Sequence, residues 1–350
     1  MIPAALMTKE MRFRAISIID IMSSVIYGGS ALFIAYLGYG LWSLVHSVIF
    51  AALFRCVASC IVASYVPKFG WNSKVAVNIV KFGGGLTLAS VLNYAARNVD
   101  FFIIGKFLGA TQLGFYKRAY DLAVIPKEKV GDSLARILFP FICKIRDDKV
   151  WTKSAFLKTD KTIGLICIPS LIFMMITAPE IIIVLYGEQW IKSVLSFRIM
   201  ALGGIFYSLC CSYGPILLAY GHTGSYLKLQ ATYAFTLIII TLISVRYGIE
   251  GVATGVVLVL LIYLLVNNYI VSKIINISII EIICNMKLSV YICLTVAIAL
   301  LAYDRCCYTE NLIMDLCVKT AMLATIYVTF FYVSKDSVVC EIKKTIQSRF

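Results

Sequence analysis

Apolar positions along this chain do not alternate; they gather in long runs divided by short charged or glycine-rich breaks. Many runs reach the roughly 20 residues that cross a hydrocarbon layer about 30 Å thick as α-helix. Reading run by run predicts about ten spanning helices, at 17–37, 42–66, 77–106, 111–142, 162–186, 194–220, 226–246, 251–272, 287–303 and 316–333. Gly38, Gly40, Gly109, Gly187, Gly221, Gly248 and Gly251 punctuate the turns. A transmembrane barrel would alternate with period two. The predicted fold class is therefore all-α, a polytopic membrane protein.

Composition agrees. Of the 350 residues 61% are hydrophobic and 14% charged, and the mean hydropathy is +0.91, more apolar surface than a water-soluble core absorbs. The net charge of +14 would suit nucleic acid on a soluble domain, but here the basic residues sit between apolar runs, so no nucleic-acid partner is expected. They fall in alternate loops: Lys9, Arg12 and Arg14; Lys68 and Lys74; Lys144, Arg146, Lys149, Lys153, Lys158 and Lys161; Lys273 and Lys287; Lys343, Lys344 and Arg349. The opposite loops are short and nearly neutral, with Lys106, Glu188 and Lys192, Arg246 and Glu250, and Asp304 and Arg305. By the positive-inside rule the basic loops face the cytoplasm, and an even number of helices puts both ends there. No signal-peptide pattern precedes the first run, so that helix, or one upstream of it, directs insertion.

The twelve cysteines lie mostly inside apolar runs without metal-ligand spacing and read as small hydrophobes. Cys306 and Cys307 sit in an outer loop, but adjacent cysteines bridge only with strain. No cofactor or metal is expected. The longest polar stretch, 144–161, is too short for a catalytic domain.

Ionisable groups inside spans cost roughly 2.5–3.5 kcal/mol each, so each asks for a partner or a function. At 100° per residue, Arg118, Asp121, Lys129, Asp132 and Arg136 fall on one stripe of the fourth run, with Lys127 on the far side and Pro126 set to kink the helix. The stripe either lines a polar cavity or pairs internally. In the third run Ser90, Asn93, Arg97 and Asp100 share a face, and Arg97 and Asp100, three apart, are placed to pair. Arg55 stands alone in the second run, with a cavity-lining or a backbone-bonding role open to it. His46 and His222 read as structural, and Tyr27, Tyr39, Tyr213 and Tyr220 as packing or interfacial aromatics.

The turn Gly38-x-Gly40-Leu41-Trp42 has an echo at Gly248-x-x-Gly251-Val252-Ala253, six helices on and at the same predicted membrane side, as parallel repeats of a transporter would place it. Several motifs carry a resemblance to a known family. They are Ile2-Pro3-Ala4-Ala5-Leu6 with Arg12-Phe13-Arg14; Gly38-x-Gly40-Leu41-Trp42-Ser43-Leu44-Val45; Lys81-Phe82-Gly83; Asn98-x-Asp100-x-x-Ile103-Ile104-Gly105-Lys106-x-Leu108-Gly109; Leu113-Gly114-x-Tyr116-x-Arg118-Ala119-Tyr120; Arg136-x-Leu138-Phe139-Pro140; and Gly187-x-x-Trp190. In these the chain resembles Wzx-type polysaccharide flippases of the multidrug/oligosaccharidyl-lipid/polysaccharide exporter superfamily, as far as about residue 272 and more weakly beyond.

The resemblance implies a MATE-like fold of two six-helix lobes and a terminal pair. On that alignment the chain lacks the first four helices: 1–76 is the last hairpin of the N-terminal lobe, 77–272 the C-terminal lobe, and 273–350 the additional pair and cytoplasmic tail. It further implies translocation of a polyprenyl-pyrophosphate-linked oligosaccharide across the bacterial cytoplasmic membrane. Arg97, Arg118, Lys129 and Arg136 would then line the substrate cavity, and Asp100, Asp121 and Asp132 would balance charge or couple an ion. Partners would be the lipid-linked oligosaccharide, membrane lipids and other polysaccharide-assembly membrane proteins. A multidrug-type exporter of the same superfamily and an inactive truncated copy are the alternatives. A membrane polymerase or ligase would need a large outer loop, which the chain does not offer.

Overall fold

The computed structural model describes residues 2–64, 98–306 and 311–334, together with 83, 84, 87, 88, 90, 91 and 94. Among the described residues there is helix and no strand. The chain divides into two compact units, Met1–Val77 and Asn78–Phe350.

The first unit holds α1 (Ile2–Lys9), α2 (Phe13–Tyr36) and α3 (Trp42–Val62). The turn between α2 and α3 needs left-handed backbone at Gly38 (φ +88°) and Gly40 (φ +52°), which glycine adopts without a Cβ penalty. The hairpin is built inside out relative to a soluble one. Ser23, Ser43, Ser47 and Ser59 are buried, while Ile21, Val25, Leu32, Phe33, Leu53 and Ile61 point outward. Small residues let two helices approach, and lipid, unlike water, imposes no penalty on outward leucine and isoleucine. Arg55, which the sequence left alone, has a partner here: its Nη2 lies 3.1 Å from Asp20 Oδ1 across the hairpin.

The second unit opens with helical residues 98–107 (α4), followed by α5 (Ala110–Pro126), a π-helical turn (Lys127–Gly131) and α6 (Asp132–Ile145). Next come α7 (Lys149–Ile176), α8 (Ala178–Tyr186), a 3₁₀ turn (Glu188–Ser193) and α9 (Val194–Leu209). The remainder is α10 (Tyr213–Ala219), α11 (Thr223–Ser244), α12 (Gly248–Ile274), α13 (Ile279–Asn285), α14 (Lys287–Cys306) and α15 (Leu312–Val333). Helix α9 is the axis of this unit and packs against α5, α7 and α12. Two adjacent glycines make that possible. A Cβ on Gly203 would lie 2.9 Å from Val257 Cγ2 of α12, and one on Gly204 only 2.7 Å from the Ala123 carbonyl oxygen of α5. Helix α14 lies along α7, and α15 contacts both α14 and α8.

Seven helical runs among the described residues are long and apolar enough to cross a membrane: Phe13–Tyr36, Trp42–Val62, Lys149–Ile176, Glu188–Ala219, Thr223–Ile274, Ile279–Cys306 and Leu312–Val333. The 223–274 run is two helices, α11 and α12, joined at Val245–Tyr247. The protein is thus an all-α, multi-pass membrane protein. The run 110–145 is helical but too charged to join the seven, and the run predicted at 77–106 lies mostly outside the described residues.

Three local readings differ. Helix α7 begins at Lys149, well before position 162, because Asp148 caps it: its carboxylate accepts from the amides of Val150 (2.9 Å) and Trp151 (3.0 Å). The run 162–186 breaks at Thr177, and Pro179 opens α8. A short extra helix, α13, starts at a capping box formed by Ser278 and Glu281.

Candidate functional site

The charged run 110–145 starts where Gly109, at φ +87°, ends one helix and opens the next. Pro126 has no amide to donate, and the chain answers with the π turn Lys127–Gly131. Gly131 seats that turn against the 3₁₀ turn Cys210–Ser212 between α9 and α10: a Cβ there would meet Cys211 Sγ at 2.8 Å. In a regular α-helix residues five apart diverge by roughly 140°, whereas the wider π turn, bonded i→i+5, brings them closer to one face. Lys127 therefore swings inward rather than to the far side. It is 3% exposed, its Nζ lies 2.9 Å from Asp132 Oδ2, and it sits 4.5 Å from the centre of the Tyr207 ring. The far-side placement that regular helix arithmetic gives Lys127 is thereby corrected; the proline just before it was the available signal.

The acids of the stripe are each engaged. Asp121 accepts from Lys117 Nζ at 2.7 Å, one helical turn back. Asp132 takes Lys127 on one oxygen, and Cys211 Sγ lies 3.6 Å from the other. Asp100 is buried; the Tyr116 hydroxyl donates to its Oδ2 at 2.7 Å and the Phe101 amide to its Oδ1 at 2.9 Å. Tyr116 is itself buried and stacks edge-on with Phe101. Arg97 and Asn93 lie outside the described residues, as does the ion pair expected between Arg97 and Asp100.

The bases are not engaged in the same way. Arg118 is exposed and rests its guanidinium over Tyr186 (5.1 Å) and Trp190 (5.5 Å), with Trp190 packed on Phe115. Gly187-x-x-Trp190 thus supplies the platform for Arg118, a role its sequence did not announce. Lys129 and Arg136 are exposed and have no ion pair or hydrogen bond from their side chains with any described residue. Over 110–145 there are six basic residues against three acidic, and two of the acids are neutralised by Lys117 and Lys127, so Glu128 is left to set against Arg118, Lys129, Arg136 and Lys144. Exposed arginine and lysine on a helix packed among membrane-spanning ones call for water or an anion beside them. The run is thus basic in excess, with Asp121 and Asp132 each tied to a lysine of the same run.

Two other buried charges escaped the sequence reading. Asp160 of α7 is buried and accepts from Ser212 Oγ at 3.2 Å, although it falls in the polar stretch 144–161. Lys319 of α15 is 3% exposed, its Nζ within 2.7 Å of Glu180 Oε1 in α8, 2.7 Å of Asp304 Oδ1 in α14 and 2.8 Å of Asp315 Oδ2 in its own helix. Among the described residues no cluster of histidine, cysteine or carboxylate side chains has the form of a metal site.

Residues 1–195 match the family described as polysaccharide biosynthesis protein. The chain is 28% identical over 281 residues to the lipopolysaccharide biosynthesis protein WzxC of Escherichia coli (strain K12), a match covering 77% of this chain and 55% of that protein. It is 27% identical over 225 residues to the teichuronic acid biosynthesis protein TuaB of Bacillus subtilis (strain 168), covering 62% and 45%. Among solved structures, the lipid II flippase MurJ in an inward closed conformation superposes with a TM-score of 0.65 at 16% identity, over 88% of this chain and 65% of that one. At that identity the likeness is one of fold. The chain spans about half the length of the curated relatives it matches.

Proposed function

The chain belongs to the family of polysaccharide biosynthesis proteins, and on that premise we propose that it translocates a polyprenyl-pyrophosphate-linked oligosaccharide across the bacterial cytoplasmic membrane for surface polysaccharide synthesis. The polyprenyl tail can stay in lipid, but the pyrophosphate and the hydroxyl-rich glycan cannot enter hydrocarbon. They need a hydrated, positively charged path. The observation that supports this reading is the division of labour along 110–145: Lys117 and Lys127 neutralise Asp121 and Asp132, leaving Arg118, Lys129 and Arg136 exposed for a pyrophosphate. Arg97, one turn before Asp100 in sequence, joins them as a candidate. Asp100, fixed by Tyr116, is the candidate for ion coupling, while Asp121 and Asp132 act as charge balance.

The same cationic excess disfavours the organic cations of a multidrug-type exporter. The role proposed is transport rather than catalysis, with the basic loops and both ends of this chain on the cytoplasmic side and other membrane proteins of polysaccharide assembly as partners.

Arg118 gives the first test. In a strain whose surface polysaccharide depends on this chain, Arg118→Ala is expected to lower surface polysaccharide about tenfold or more, one charged hydrogen bond being worth about 1.5–3 kcal/mol. Membrane abundance should not change, and Arg118→Lys should restore part of the export, since it keeps the charge and loses the planar stacking. Full export by the alanine variant at equal abundance would remove Arg118 from the path.

A further inference from the structure

The membrane-surface end of α7 carries a second basic feature, separate from the 110–145 run. A cavity of about 700 Å³ opens there, walled by Lys149, Lys153, Lys158 and Lys161 of α7 and by Asn276 and Asn285 from the segment around α13. At 100° per residue the four lysines spread over one half of the helix, from Lys149 round to Lys158, and the buried Thr152, Phe156 and Asp160 gather at the edge of that arc nearest Lys149. The positive-inside rule accounts for lysines on this loop, but not for their gathering around a concave space with amide side chains beside them.

The walls are tied together. Glu281 of α13 takes Lys153 Nζ at 2.7 Å, and Asn285 Nδ2 donates to the Leu157 carbonyl at 2.8 Å. These two links hold α13 beside α7. An apolar rim is formed by Val150, Leu157 and Ile275, and Trp151 on α7 and Ile280 and Ile283 on α13 are exposed. Exposed tryptophan and isoleucine on the helices that wall a lysine-lined hollow mark the level where headgroups meet acyl chains.

We propose that this hollow binds the phosphodiester headgroup of an anionic membrane phospholipid, its acyl chains lying against the apolar rim. Several ammonium groups supply the charge for the phosphate, and the asparagine amides supply neutral hydrogen bonds for the rest of the headgroup. A soluble phosphate would use the lysines but not the rim. The site needs nothing from a transported glycan, so its fate is independent of the transport reading above.

The test is lipid binding by the purified full chain, read by native mass spectrometry after titration with phosphatidylglycerol or phosphatidylcholine. Phosphatidylglycerol should bind preferentially. Neutralising the wall in K149Q/K153Q/K158Q/K161Q should weaken that binding about tenfold or more, at roughly one tenfold step per two lysines or fewer, and leave phosphatidylcholine unchanged. The all-arginine counterpart at the same four positions should bind like the parent, which covers the case of a glutamine variant that does not fold. Equal binding of the two lipids, or equal phosphatidylglycerol binding by parent and folded glutamine variant, overturns the proposal. So does displacement of the lipid by inorganic pyrophosphate as readily as by phosphatidylglycerol, which would make the hollow a soluble-phosphate site.

Discussion

A buried carboxylate persists only where its lone pairs are met, and Asp100 meets them with one side-chain donor, the Tyr116 hydroxyl, and one backbone donor, the Phe101 amide. Tyr116→Phe keeps the packed ring and removes that side-chain donor. It is expected to destabilise the protein by about 1–3 kcal/mol, the cost of leaving a buried acceptor unmet, seen as a lowered thermal midpoint of the purified chain in detergent. An unchanged midpoint would mean that water reaches Asp100. The case also shows what one sequence withholds at this scale. Periodicity placed Asp100 and Arg97 on one helix and suggested each as the other's partner, a pairing that lies outside the described residues; it did not offer Tyr116, which arrives from the next helix. Arg55 is alike: its partner Asp20 lies across a hairpin. Which residue faces which between helices depends on crossing geometry that single-helix arithmetic does not contain.

At the scale of elements, the close approach of α9 to α5 depends on Gly204, since a Cβ there would sit 2.7 Å from a backbone oxygen that has no rotamer through which to yield. Gly204→Ala is therefore expected to cost about 1–3 kcal/mol, as overpacking does, with the loss again read in the thermal midpoint. Gly224→Ala, at a position with nothing within 4 Å, should be near neutral and serves as the control. Helix positions were legible wherever apolar runs were long: α3 begins at the predicted Trp42, and α12 and α15 differ from prediction by a few residues. The start of α7 was not, because lysines 149–161 read as loop in a membrane-centred scan although lysine is a good helix former and Asp148 was a visible cap. The π turn was half legible. Pro126 announced an irregularity, but the insertion that turns Lys127 inward depends on the tertiary fit of Gly131 beside Cys211.

At the scale of the molecule, helices surrounded by lipid gain little from apolar contact with one another, so polar links and small residues hold the assembly together. The hairpin of the first unit shows it with buried serines. The second unit shows it at Lys319, whose one ammonium joins α8, α14 and α15 through Glu180, Asp304 and Asp315. Removing the ammonium alone leaves carboxylates without a counter-charge, and Glu180 already has one buried oxygen lacking a hydrogen bond. Lys319→Met is thus expected to destabilise the packing of the terminal pair by up to about 3–5 kcal/mol, the range for breaking a buried pair, and less to the extent that the more exposed Asp304 rehydrates. The sign reverses if the acids go as well: Lys319→Met combined with Glu180→Gln, Asp304→Asn and Asp315→Asn should recover most of the loss, because the penalty lies in uncompensated charge rather than in lost attraction. Thermal midpoints and protease sensitivity of α14 and α15 in the two variants separate these cases. If the single variant is neutral, water already solvates the cluster. If the combined variant is no better than the single one, the ammonium acts as a hydrogen-bonding bridge that neutral side chains cannot replace.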